Sequence, residues 1–155
     1  MNYYIEKVKI EDKNVLYKLL QFALYDGSQY IDNEITNEGI YEYKWFDNYF
    51  SDNDRDAFFI KSNDNKIIGF VMINSNMKLS NIGHSIAEFL ILPKYRRKHI
   101  GKKIALEILS IYRGIWEIEP ISNNDTAYYF WENVVKTYTN NNFFFTDNIF
   151  VFNHN

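Results

Sequence analysis

The residues of this chain best placed to do chemistry together lie between Glu88 and Lys103. The run is Glu88-Phe89-Leu90-Ile91-Leu92-Pro93-Lys94-Tyr95-Arg96-Arg97-Lys98-His99-Ile100-Gly101-Lys102-Lys103. It combines an apolar strand, a proline stop, a short basic loop and the start of an amphipathic helix. The first turn of a helix leaves backbone N–H groups without partners and carries the positive end of the macrodipole. With Arg96, Arg97, Lys98 and Lys102 beside it, that turn suits a strongly anionic group such as a pyrophosphate. A side chain at Gly101 would hold a phosphate away from the backbone. Taken alone, Arg96, Arg97, Lys98, Lys102 and Lys103 are equally well explained as a solvated basic face.

Glu88 is the carboxylate of this region. Period-2 alternation puts His84, Ile86, Glu88, Leu90 and Leu92 on one face of a strand, unless a bulge shifts the register. A carboxylate within a largely apolar strand is costly unless paired or solvated, so Glu88 should face a cleft or a partner. It is the first candidate for a general base. His84 is the second, because imidazole ordinarily titrates near neutrality.

These residues need elements to hold them. Tyr3 to Lys9 alternates as a half-buried strand, and Glu11 or Asp12 can cap a helix carrying Val15, Leu16, Leu19, Leu20, Ala23 and Leu24. Thr36 and Glu38 predict the start of a second, aromatic-rich helix to about Phe50. Ala57 to Lys61 is a strand, residues 62–65 a hairpin turn, and Lys66 to Asn74 an apolar strand buried on both faces. Gly83 to Leu92 is a strand. Ile100 to Arg113 is a helix with Ile100, Ile104, Ala105, Ile108 and Ile111 on its apolar face, and Gly114 caps it. Ile115 to Ile118 is a strand, Asn123 or Asn124 caps a helix to about Tyr138, and Phe143 to Phe145 pairs with Ile149 to Phe152. The order β-α-α-β-β-β-α-β-α-β-β predicts an α/β (α+β) fold: a mixed, largely antiparallel sheet flanked by helices, with one parallel crossover through the Ile100 helix. No repeat or linker divides residues 1–155, so a single domain is expected.

Composition narrows the function. A net charge of −3 gives no global field to draw nucleic acid or an anionic membrane, and it suits a cationic substrate such as an amine. The absence of cysteine excludes a disulfide framework and a cysteine nucleophile, and no metal is expected. The N-terminus lacks a signal-peptide pattern and no stretch is long and apolar enough to span a bilayer, so a cytoplasmic location is expected.

The segment Leu90 to Lys103 resembles the acetyl-CoA segment of the GNAT acyltransferase superfamily: an apolar strand, Pro-x-Tyr-Arg, then Arg/Gln-x-x-Gly-x-Gly/Ala. Arg96 takes the first motif position, His99 the first Gly and Gly101 the second. The family's later Asn-x-x-Ala-x-x-Phe-Tyr is matched by Asn124, Ala127, Phe130 and Trp131. The element order also fits, so the resemblance covers essentially the whole chain. In two places the chain departs from the pattern. His99 replaces a Gly, and Trp131 stands where many members carry a Tyr that protonates the departing thiolate. An indole N–H can hydrogen-bond a thiolate but is far too weak an acid to protonate it.

The resemblance implies an N-acetyltransferase that moves an acetyl group from acetyl-CoA, as cosubstrate, to a primary amine of a small molecule or peptide by direct attack. It assigns Arg96, Arg97, Lys98, His99, Ile100, Gly101 and Lys102 to the pyrophosphate. Backbone groups of Leu90 and Leu92 would hold the pantetheine, and Asn124 would touch the cofactor besides capping its helix. Glu88 would act as base and Trp131 would contact the thiolate. Tyr128 shares a helical face with Trp131 but is better explained as a core aromatic. The acidic, aromatic stretch with Asp26, Tyr30, Asp32, Glu34 and Glu38 would lie near an amine acceptor. A non-catalytic acyl-CoA-binding or partner-binding module of the same fold is the rival reading. A nucleic-acid partner through Lys94 to Lys103 is disfavoured by the net charge. Tyr41, Tyr43 and Trp45 would suit a homodimer contact or, equally, the core.

Overall fold

The computed structural model describes residues 1–155. Its ten main elements are β1 (Tyr3–Lys7), α1 (Lys13–Gly27), β2 (Asp56–Ser62), β3 (Ile67–Asn74), β4 (His84–Ile91), α2 (Ile100–Leu109), β5 (Gly114–Ile118), α3 (Asp125–Thr139), β6 (Phe144–Thr146) and β7 (Ile149–His154). The seven strands form one sheet in the order β1-β2-β3-β4-β5-β7-β6. The pairs β1–β2, β2–β3, β5–β7 and β6–β7 are antiparallel, and β4–β5 is parallel. The mixed, largely antiparallel architecture expected from the sequence is therefore present. The chain packs as two compact units, residues 1–73 with 87–92, and residues 74–86 with 93–155.

In the first unit, Leu16, Leu19 and Leu20 of α1 are buried with Phe59 of β2, Phe70 and Met72 of β3, and Leu90 of β4. Helical spacing delivers the first three to one face and strand alternation delivers the others. Val15 does not join them: it is exposed, because it lies a residue off that face. Asp12 precedes α1 but its side chain makes no capping hydrogen bond.

The second predicted helix is absent. Residues 28–46 form an irregular strap, followed by one 3-10 turn at Asp47–Phe50. Thr36 opens a tight turn instead of a helix, with Thr36 N donating to Ile40 O at 2.8 Å and Gly39 N to Thr36 O at 2.9 Å. Gly39 sits at φ 77° and Trp45 at φ 69°, conformations that a helix excludes. The strap is tied to α1 through Gln21. Its Oε1 accepts from Tyr41 N at 2.7 Å and its Nε2 donates to Tyr41 O at 2.9 Å, imitating a strand pair. The aromatics that look like a helical face are separate anchors: Phe46 and Tyr49 are buried, while Trp45 is exposed.

In the second unit, α2 buries Ile100, Ile104, Ala105, Ile108 and Leu109, as its pattern predicts. It ends sooner than predicted. Ser110 caps it and Ile111 is exposed, so Gly114, at φ 103°, opens β5 and does not cap α2. Asn124 caps α3 by accepting from Ala127 N at 3.1 Å.

Candidate active site

Glu88 and Leu90 lie on β4 and Leu92 just beyond it, but strict alternation does not hold along the strand, because Ala87 packs against the same buried cluster as Leu90 and Leu92. Leu90 belongs to the buried cluster, Leu92 packs against it, and Glu88 hydrogen-bonds Tyr43, which packs against it too. Glu88 is partly exposed, yet its carboxyl is enclosed by protein. Burial pushes the group up to about 7, against the opposing effect of the hydrogen bond from the Tyr43 hydroxyl. Tyr43 is itself pushed far above its ordinary range, first by burial, then by the charge of Glu88 and the neighbouring Tyr49. The neutral phenol therefore stays a donor at every working pH. Tyr43 and Tyr49 escaped the sequence reading as site residues. The aromatic richness of residues 41–50 was the available signal, but it does not distinguish a site from a core.

The backbone of Leu92 corrects an expectation. Its N–H donates to Ile68 O at 2.9 Å, so it is spent on the sheet and is not an open donor for pantetheine. At Leu90 the carbonyl lies so close to β3 that a Cβ on Gly69 would meet it at 2.2 Å. Only glycine allows the strand bearing Glu88 to approach this closely.

In the second unit, Pro93–Tyr95 makes a 3-10 turn and the basic loop follows. Arg96, Arg97, Lys98 and His99 are all exposed, with Gly101 and Lys102 half-buried on the first turn of α2. Arg97 and His99 both adopt left-handed backbone, at φ 61° and φ 56°. His99 thus occupies the conformation for which the motif uses Gly, and its side chain does not cap the helix. The first turn of α2 receives no side-chain cap from His99, and the loop that leads into it carries exposed cationic side chains. That donor set fits the diphosphate of a nucleotide cofactor.

The remaining candidates are dispersed. His84 stacks on Tyr112 at 4.7 Å and tilts against Trp116 at 5.4 Å, so it is an aromatic partner more than an open base. Trp131 is buried, edge-on to Phe130 at 5.0 Å. Tyr128 is half-buried and packs against Phe145 at 5.4 Å and Phe150 at 5.7 Å, at the edge of the core and not within it. A polar cavity of about 420 Å³ opens by Ser110, Tyr138 and His154, at the opposite end of α2 from the basic loop, and includes none of the expected site residues. No group of three or more His, Cys, Asp or Glu side chains is arranged to hold a metal ion.

Comparison with known proteins identifies the family and the fold. Residues 16–134 match the model of the acetyltransferase (GNAT) family, and the chain belongs to that family. Solved structures share its fold at low identity. An acetyltransferase from Thermus thermophilus superposes with a TM-score of 0.70 at 11% identity, covering 99% of this chain and 97% of its own. Spermidine N-acetyltransferase from Vibrio cholerae, in complex with CoA and spermine, gives 0.65 at 13%, covering 96% and 91%. PaiA N-acetyltransferase from Thermoplasma acidophilum, in complex with coenzyme A, gives 0.61 at 19%, covering 97% of each chain. No curated protein sequence matches the chain significantly. No helix is long and apolar enough to cross a membrane.

Proposed function

We propose that this protein is an N-acetyltransferase that acetylates a primary amine of a small molecule or peptide at the expense of acetyl-CoA, with residues 1–155 acting as one catalytic domain. The observation that carries the reading is Glu88, a carboxyl on β4 raised to about 7 and therefore able both to take and to release a proton near neutrality. Acetyl-CoA supplies the activated acetyl thioester. Arg96, Arg97, Lys98 and Lys102, with the uncapped amides of Ile100 and Gly101, hold its diphosphate. Glu88 accepts the proton that the ammonium group must lose before its nitrogen can attack. The fold neighbour that binds spermine supports a cationic acceptor, as does the acidic stretch from Asp26 to Glu42, which contains no lysine or arginine.

A second reading, an acyl-CoA-binding module without turnover, is favoured by Trp131, a buried indole that cannot supply the proton a leaving thiolate takes up. Thermal unfolding with acetyl-CoA, for wild type and Gly101→Glu, tests the cofactor half. Ligand at about 100 times its Kd should stabilise wild type by roughly 2.7 kcal/mol and leave the variant unmoved. Release of free thiol with a panel of primary amines, spermidine and short peptides among them, tests turnover. Stabilisation without thiol release supports the second reading, and the absence of any stabilisation at millimolar acetyl-CoA overturns both.

A further inference from the structure

Helix α1 carries a second apolar stripe, on the side away from the core of its unit. Its inner face is made by Leu16, Leu19 and Leu20, all buried. On the outer side Val15, Phe22 and Tyr25 are exposed by 40%, 56% and 68%. One exposed apolar residue is ordinary at a surface, but three along one helix face make a patch. Lys18 and Asp26 are exposed as well. At 3.6 residues per turn, positions 15, 18, 22, 25 and 26 all fall within an arc of about 100°. The stripe thus has Phe22 near its midpoint and opposite charges four residues to either side.

The charges run against the helix they stand on. Anions are stabilising near a helix N-terminus and cations near its C-terminus. In α1 the first turn opens on Lys13 and has no acidic residue, the last turn has no basic residue, and Asp26 is next to the end. This polarity does nothing for α1 alone. It does suit a second α1 laid antiparallel, because the electropositive half of each helix then lies along the electronegative half of the other.

Symmetry sets the register. With a twofold axis through Phe22, the two Phe22 rings meet at the centre of the contact. Four residues rise about 6 Å along the axis, so Lys18 of each copy lies level with Asp26 of the other, twice per dimer. Tyr25 of each copy falls within about 1.5 Å, along the axis, of the other's Lys18 and can cover its aliphatic stem. A parallel arrangement would instead set Lys18 against Lys18 and Asp26 against Asp26.

We propose that the outer face of α1 is a self-association surface, on which a second copy of this chain docks its own α1 antiparallel across Phe22, with two reciprocal Lys18–Asp26 ion pairs. The proposal does not depend on the acetyltransferase reading. The stripe spans about three turns, short of a standard interface, so the dimer is reversible, with a Kd of about 10–100 µM.

The test is analytical ultracentrifugation from about 5 to 500 µM at low ionic strength, where exposed ion pairs are least screened. Wild type should move with concentration from the 18.7 kDa monomer toward twice that mass. Phe22→Glu, which sets two carboxylates together at the axis, should remain monomeric throughout. Lys18→Glu and Asp26→Lys should each weaken association about tenfold, because each creates two like-charge pairs in the dimer. Asp26→Lys also places a cation in the last turn of α1, which favours the helix, so its effect is not a loss of folding. The double variant Lys18→Glu/Asp26→Lys restores opposite signs at both contacts and should return to within about threefold of wild type. A wild type that stays monomeric at the highest concentration would overturn the proposal. So would a dimer indifferent to Phe22→Glu, or a double variant no stronger than the two single ones.

Discussion

Glu88 on β4 and Glu117 on β5 are carboxylates enclosed in the two units, and their surroundings drive them in opposite directions. Glu88 has one hydroxyl to accept from, and burial wins, raising it to about 7. Burial also works to raise Glu117, which is only 3% exposed, but there the donors win. Its Oε2 accepts from Lys78 N at 2.8 Å, and its Oε1 from Leu79 N at 2.9 Å and Ser80 N at 2.7 Å. Those amides hold the carboxyl below its ordinary range. Enclosure removes water from both groups, and the number of donors that replace it decides whether a carboxyl becomes a proton acceptor or a permanent anion. Glu117 is a structural anion that fixes the loop at residues 78–80. Glu88, under-supplied with donors, is left able to exchange a proton near neutrality.

The largest expected effect comes from removing the poised group. Glu88→Gln should lower acetyl transfer by about 10²- to 10⁴-fold, the usual worth of a general base. The same change should stabilise the fold in alkaline solution. Because the folded carboxyl is raised, its contribution to stability is fully present below about 4.5 and is lost as the pH rises through 7. Above that, ionised Glu88 costs about 3 kcal/mol, which Gln relieves. Urea unfolding at pH 5 and pH 8 should show the greater gain at pH 8. An equal gain at both would mean that Glu88 is not raised.

Removing the anion should act in the reverse sense. Glu117→Ala leaves three amides without their acceptor and should destabilise the protein by about 3 kcal/mol. Its folded carboxyl is lowered, so its stabilisation is present above the ordinary carboxylate range and is lost as the pH falls through the folded value. The variant should therefore show a flatter acid limb than wild type when unfolding is followed from pH 6 to pH 3.

Two glycines sharpen the comparison by moving one strand at a time. Gly69→Ala would press a Cβ against Leu90 O at 2.2 Å, and Gly83→Ala against Ile115 O at 2.4 Å. Each should cost about 2 kcal/mol, with backbone that cannot swing aside. Gly69→Ala should displace the Glu88 titration and leave the acid limb governed by Glu117 unchanged, and Gly83→Ala should do the converse. The smallest effect is expected at His99. His99→Gly relieves left-handed strain but loosens the unfolded chain, so stability should change by less than about 1 kcal/mol. Affinity for acetyl-CoA should rise a few-fold by calorimetry. Weaker binding would mean that the imidazole itself helps hold the cofactor.

Local pattern was sufficient for most of the scaffold. The leucines of α1, the apolar run of β3, the isoleucines of α2 and the Asn124 cap declare themselves because short-range sterics and periodic burial are written into neighbouring residues. The basic run from Arg96 to Lys102 and the carboxylate at Glu88 stand out by residue type and order, although residue type alone also allows a solvated basic face. Where pattern failed, the cause was tertiary. The aromatics from Tyr41 to Phe50 have helix-like spacing, but turns at Gly39 and Trp45 and the clamp of Gln21 on Tyr41 make them a strap. The end of α2 was misplaced because Ile111 suits the helical pattern yet points to solvent.

The sequence by itself determined the sheet-and-helix order apart from one helix, the basic loop before α2 and the family. Only the tertiary structure decided which carboxyl is poised and which is pinned. Glu88 and Glu117 are the same residue type on apolar strands, and nothing local separates them. Their protonation depends on donors brought from distant parts of the chain, a tyrosine of the strap for one and three loop amides for the other. Such donors become neighbours only when the chain folds.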